Sequence, residues 1–125
     1  MMGWRQMAER RLMDYETMKK AKDTLPEELS RRKLPKEEEA RMEMMAQKLF
    51  LKERLRQVSR WLDVTRKGLG ALDPQERLVV QLLYIMPEKG NVGRLCEILN
   101  CGQTTVYRRR DRALKKFTKA LYGRG

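Results

Sequence analysis

Histidine is absent from the 125 residues of this chain, and cysteine occurs only twice, as Cys96 and Cys101. With no histidine and two thiols, the usual four-ligand zinc site cannot assemble, so no metal is expected. Two free thiols fit a reducing compartment, and a cytoplasmic location is expected. No apolar run approaches the roughly 20 residues that a bilayer span requires, and no signal peptide is recognisable. Gly-rich phosphate loops, nucleophile elbows and paired-carboxylate spacings are also missing. Neither catalysis nor a cofactor is therefore expected. Glu37, Glu38 and Glu39 read instead as a helix first turn, where acidic side chains complement the dipole. Strand-like alternation, repeats and low-complexity tracts are lacking too. The expected fold class is all-α.

What the chain has in excess is positive charge, with a net charge of +12. Such a balance favours a polyanionic partner, either nucleic acid or an anionic membrane surface. The charge is unevenly placed. From Gln103 to Gly125, eight Lys or Arg face one acid, Asp111, leaving +7 in the last 23 residues. Cations late in a helix gain from its dipole, which accounts for Lys115, Lys116 and Lys119 without a ligand. Arg108, Arg109 and Arg110 lie in the N-terminal half, where the dipole offers them nothing.

Periodicity divides the chain into helices. Residues 4–24 carry Trp4, Met7, Ala8, Leu12, Tyr15 and Met18 on one stripe. Leu25-Pro26 and Leu34-Pro35 then predict a break, because proline biases its predecessor away from helical geometry. Residues 36–67 are helical in pattern, with a seam of Leu51, Leu55, Val58 and Leu62 suited to another helix. Met42, Met45 and Leu49 form a shifted stripe, and the methionines read as an adaptable surface for a partner helix. Trp4 and Trp61 are expected to pack between helices. Gly68 and Gly70 predict a short flexible joint. Residues 1–70 are thus a helical N-terminal region of two helices, a candidate for dimerisation or partner binding. Residues 71–125 form the C-terminal domain.

That domain opens on Asp73-Pro74-Gln75-Glu76, a capping box with proline at the first helical position. Leu78, Val79, Leu82, Leu83, Ile85 and Met86 make the next helix the most apolar, and Pro87 to Gly90 close it. A helix-turn-helix pattern follows. Asn91 is the expected N-cap of a short helix carrying Val92, Leu95 and Leu99, and Asn100 suits its left-handed end. Gly102 caps a last helix over residues 103–121, with Val106, Ala113, Phe117 and Leu121 facing the core and Leu114 at its margin. Residues 122–125 are expected to fray. In such a motif the start of the second helix meets base edges in the major groove. Gln103, Thr104, Thr105, Tyr107 and Arg108 are the candidates for base contact. Arg109, Arg110, Arg112 and Lys116 are the candidates for phosphate contact. Arg31, Arg32 and Lys33 read as an exposed loop. A core of about 50 residues is small, which favours extra burial against the N-terminal helices or a second chain.

Residues 72–121 resemble region 4 of the bacterial sigma-70 family. The likeness rests on Leu72 to Arg77, the apolar helix, Asn91 to Leu99, and above all Val106-Tyr107-Arg108-Arg109-Arg110-Asp111-Arg112-Ala113-Leu114. Asn100 stands where that family usually has glycine, Gly102 where it has a serine cap, and Arg110 where an apolar residue is common. Residues 1–71 are too short for the polymerase-gripping region of a complete sigma factor. A short helical N-terminus before such a domain is similar to phage and prophage late-gene regulators of the ArpU and RinA kind. The resemblance implies a transcription regulator that binds double-stranded DNA near RNA polymerase, and the small core makes a homodimer its expected form. A small-terminase-type packaging adaptor is a second reading, and a helical protein that binds polymerase or sigma a third. A membrane-surface helix is the weakest, since the C-terminal apolar stripe is needed for the core.

Overall fold

The computed structural model describes residues 3–122, so Gly123, Arg124 and Gly125, expected to fray, lie outside it. Among the described residues the chain is all-helical, and no helix is long and apolar enough to cross a membrane. The helices are α1 (Trp4–Met13), α2 (Tyr15–Arg31), α3 (Glu38–Gly70), α4 (Pro74–Val80), α5 (Asn91–Leu99) and α6 (Gln103–Leu121). They form two compact units, one of residues 3–16 with 64–122 and the other Thr17–Asp63. The division differs from the expected boundary near residue 70, because α1 and the last turns of α3 join the C-terminal helices.

Three helices, rather than the expected two, precede residue 71. α1 and α2 part at Asp14, whose short polar side chain competes for backbone bonds and disfavours a helix interior. The break predicted at Leu25-Pro26 is absent, and α2 runs through Pro26 to Arg31. Pro26 is exposed while Leu25 beside it is buried, so burial holds the backbone helical where proline opposes it. The chain turns instead over residues 32–37. There Arg32 donates to Gln47 on α3 and to Glu28 one turn back on α2. This makes Pro26 a removable cost. Pro26→Ala should raise stability by about 1–3 kcal/mol, since an interior proline costs about 3 kcal/mol. Urea unfolding checks this; an unchanged or lowered midpoint would mean that the helix does break there.

The C-terminal unit has two adjoining apolar clusters. Ala8, Leu12, Leu72, Val80, Ile85, Ala113, Leu114 and Phe117 form the first. Val79, Leu82, Leu95 and Val106 form the second. Neighbouring positions of α4 serve different clusters, Val79 one and Val80 the other. α4 then widens into a π-helical turn, Gln81–Ile85, closed by the Met86 N–H on the Gln81 carbonyl at 2.9 Å. The wide turn continues the division, with Leu82 in the second cluster and Ile85 in the first. Met86, one of the apolar residues of this helix in the sequence, falls beyond the wide turn and is exposed. Leu114, expected at the margin, is fully buried, because α1 covers this side of α6 with Ala8 and Leu12.

Gly68 is not a joint. It lies inside α3, and a β-carbon there would stand 2.7 Å from two ring carbons of Phe117. The missing side chain lets the Phe117 ring rest on the helix backbone. Tyr84 is pushed up to about 12 by burial and by the Glu9 carboxylate on α1.

Candidate nucleic-acid interface

The segment from Asp73 to Leu121 is organised by its caps. The Asp73 carboxylate accepts the Glu76 backbone N–H at 2.8 Å, and the Glu76 carboxylate accepts that of Asp73 at 3.0 Å. This is the expected capping box. The bond from the Glu76 backbone holds the Asp73 carboxyl below its usual range. Gly90 rather than Asn91 occupies the N-cap of α5, at φ +75°, where a β-carbon would be strained. Asn91 instead donates its side-chain amide to the Leu82 carbonyl at 2.9 Å, which ties the start of α5 to the π turn.

α5 ends as its sequence predicts, with Asn100 left-handed at φ 51°. The Cys101 N–H reaches the Cys96 carbonyl at 3.1 Å and the Asn100 N–H reaches that of Glu97 at 3.4 Å. Those two bonds define a Schellman turn, in which the flanking residues usually touch. Here these are Cys96 and Cys101, both half-buried on the second cluster and both free thiols. Gly102 then caps α6. Leu95 and Val106, both fully buried, lock α5 and α6 together across the turn.

The core-facing side of α6 is Val106, Ala113, Leu114 and Phe117. At about 100° per residue, the opposite side is Thr104, Arg108, Arg112, Lys115 and Lys119. All five are exposed, in one stripe along the helix. Among the described residues none of the four cations has a carboxylate partner.

The other candidates divide into two groups. Gln103 and Tyr107 are exposed to one side of this stripe, and Thr105 is half-buried on the other. Arg109, Arg110 and Lys116 already have partners within the chain. Arg109 binds the Gln75 side-chain carbonyl. Arg110 sits 4.8 Å over the Tyr107 ring and 3.0 Å from Asp111, which also meets Arg5 at 3.3 Å. The Lys116 ammonium lies 2.9 Å from Glu76, a carboxylate only 3% exposed. One oxygen of Glu76 is buried without a partner, so Lys116 and the Asp73 amide share the other. These contacts account for three of the nine candidates without any ligand.

Lys115 and Lys119, whose late position on α6 the helix dipole suffices to explain, belong to this stripe as well. The signal was present, since both continue the spacing of four, four, three and four that starts at Thr104. Beside them lies an open groove of about 310 Å³ lined by Trp4, Lys115, Thr118, Lys119 and Tyr122. Trp4 is 47% exposed there instead of packed between helices. The stripe and the groove make one continuous basic surface with aromatic edges. No protein-family model, curated protein or solved structure matches this chain.

Proposed function

We propose that this chain is a sequence-specific, duplex-DNA-binding transcription regulator, encoded by a phage or prophage and acting without catalysis. α5, the Schellman turn and α6 are its helix-turn-helix, in the manner of sigma-70 region 4. α6 is the recognition helix, and the working form is a homodimer placed near RNA polymerase.

The observation that carries this reading is the unpaired stripe of Arg108, Arg112, Lys115 and Lys119, opposite the buried face of α6. Four like charges on one helix face repel one another unless an anion neutralises them. Phosphates at duplex spacing do so with release of bound counterions. Thr104 and Arg108 lie in the first two turns, where a recognition helix reaches base edges. An arginine there can clasp guanine through two hydrogen bonds, and a threonine methyl can pack on thymine. Arg112, Lys115 and Lys119 then act as phosphate contacts that set orientation. Gln103 and Tyr107 flank the reading edge. Arg109, Arg110 and Lys116 contribute mainly by stiffening the helix on which that edge is carried.

Selection of bound sequences from a random duplex pool tests the proposal at about 0.15 M salt, where purely electrostatic contact is weakened. A defined motif is expected, and Arg108→Ala should relax it at one position at a cost of about 1–3 kcal/mol. A pool that stays random, with binding lost steeply as salt rises, would sink the sequence-reading role.

A further inference from the structure

Within Thr17–Asp63, α3 carries apolar residues on two opposite faces. Leu51, Leu55, Val58 and Leu62 form one face, with Val58 and Leu62 fully buried and Leu51 and Leu55 half-buried. Met42, Met45 and Leu49 lie on the other side and Phe50 at its edge, and they remain 65%, 49%, 65% and 71% exposed. A surface helix ordinarily has one apolar stripe, and neighbouring exposed apolar side chains in such number mark a contact surface. A groove of about 440 Å³, lined by Arg32, Ala46, Gln47, Phe50 and Leu51, opens at its edge.

Charge along this helix says what covers the patch. Toward its start the helix carries Glu38, Glu39 and Glu43 against Arg41 alone. Further along stand Lys48, Lys52, Arg54, Arg56 and Arg60 against Glu53 and Asp63. The patch is therefore the middle of a helix with one acidic and one basic end. Such a helix complements itself only when turned end for end. We propose that this face of α3 binds a second copy of the same chain, antiparallel, with the two-fold axis beside residues 46–49.

In that arrangement Met45 of each copy meets Leu49 and Phe50 of the other, and Ala46 gives the close approach at the axis. Glu38 comes opposite Arg56 of the other copy on one flank, and Glu43 opposite Arg54 on the other. A parallel pair would set acid against acid and base against base. The Glu53–Arg56 contact at 2.8 Å is an exposed pair within one turn and yields readily to the new partner. The four apolar side chains expose on the order of 500 Å² per copy, given the size of such residues. With their flanking charges they approach the roughly 800 Å² per partner of a standard interface. The contact is isologous, so it closes at two copies. This inference rests on the two-copy part of the function proposed above, and not on DNA binding.

Sedimentation equilibrium of the full chain over the micromolar range tests it, with circular dichroism to confirm that each variant stays helical. The expected species is a dimer, which Leu49→Glu with Phe50→Glu should weaken by about a hundredfold or more, as for central interface positions. Glu38→Arg alone should weaken the dimer, and adding Arg56→Glu in the same chain should restore it. Orientation is read by oxidative cross-linking in a Cys96→Ala, Cys101→Ala background. Ala46→Cys should link two copies, whereas Met42→Cys, far from the axis, should not. A monomer throughout, a dimer indifferent to Leu49 and Phe50, or equal cross-linking at both positions would overturn the proposal. A dimer that forms this way yet ignores DNA would remove the DNA reading and leave this one standing.

Discussion

Replacing Arg108, Arg112, Lys115 and Lys119 together by alanine should lower duplex affinity about a thousandfold at 0.15 M salt while leaving the fold intact. The estimate follows from counterion release. Each phosphate neutralised contributes about 0.9 to the slope of log affinity against log salt. Losing four such contacts should flatten that slope by about 3 to 4, less if Arg108 spends its charge on a base. Stability should stay level or rise, because the variant relieves repulsion along α6 and breaks no ion pair among the described residues. The contrasting variant is Lys116→Ala. It strips Glu76 of its cation and leaves a buried carboxylate short of a partner. That change should cost about 1–3 kcal/mol of stability while moving the salt slope little. Fluorescence anisotropy across a salt series, beside thermal melts, separates the two. An unchanged slope in the fourfold variant would show that the stripe does not meet phosphates.

The second large effect concerns Gly68. Gly→Ala inside a helix ordinarily gains about 0.5–1 kcal/mol, since alanine has less backbone freedom to lose. Here the new methyl would sit 2.7 Å from two carbons of the fully buried Phe117 ring and 3.0 Å from a Leu121 methyl. Overpacking of that kind costs about 1–3 kcal/mol, so the clash outweighs the propensity gain and the sign reverses. Phe117→Ala should cost about 3–5 kcal/mol from the cavity it leaves. Gly68→Ala combined with Phe117→Leu should be less harmful than the separate costs imply, because the smaller side chain makes room for the methyl. Urea unfolding of the full chain measures all of these. If Gly68→Ala stabilises the protein, the ring does not rest on this glycine.

Local signals in the sequence were reliable where one residue type has one structural use. The Asp73 capping box, the left-handed Asn100 and the Gly102 cap all stand where the sequence placed them. Asn100 takes the glycine-like position because asparagine tolerates φ 51°. Signals with two uses went astray. Pro26 reads as a break from its own chemistry but sits within a helix, since burial of the adjacent Leu25 outweighs a local preference. Gly68 reads as a hinge, yet its small size serves a ring 49 positions away in the chain. Nothing near either residue in the sequence carries that information.

The candidate site divides along the same line. The sequence by itself determined that the chain is helical, strongly basic, and densest in charge along α6, because periodicity and composition are local properties. Tertiary structure decided which of those charges are free. Gln75, Glu76 and Asp111 engage Arg109, Lys116 and Arg110, while Arg108, Arg112, Lys115 and Lys119 stand clear. Two of those acceptors, Gln75 and Glu76, lie on α4, more than 30 residues from their partners. The physical reason is that a charge is freed or engaged by what packs within a few ångströms of it. That distance is set by the fold and not by the order of residues along the chain.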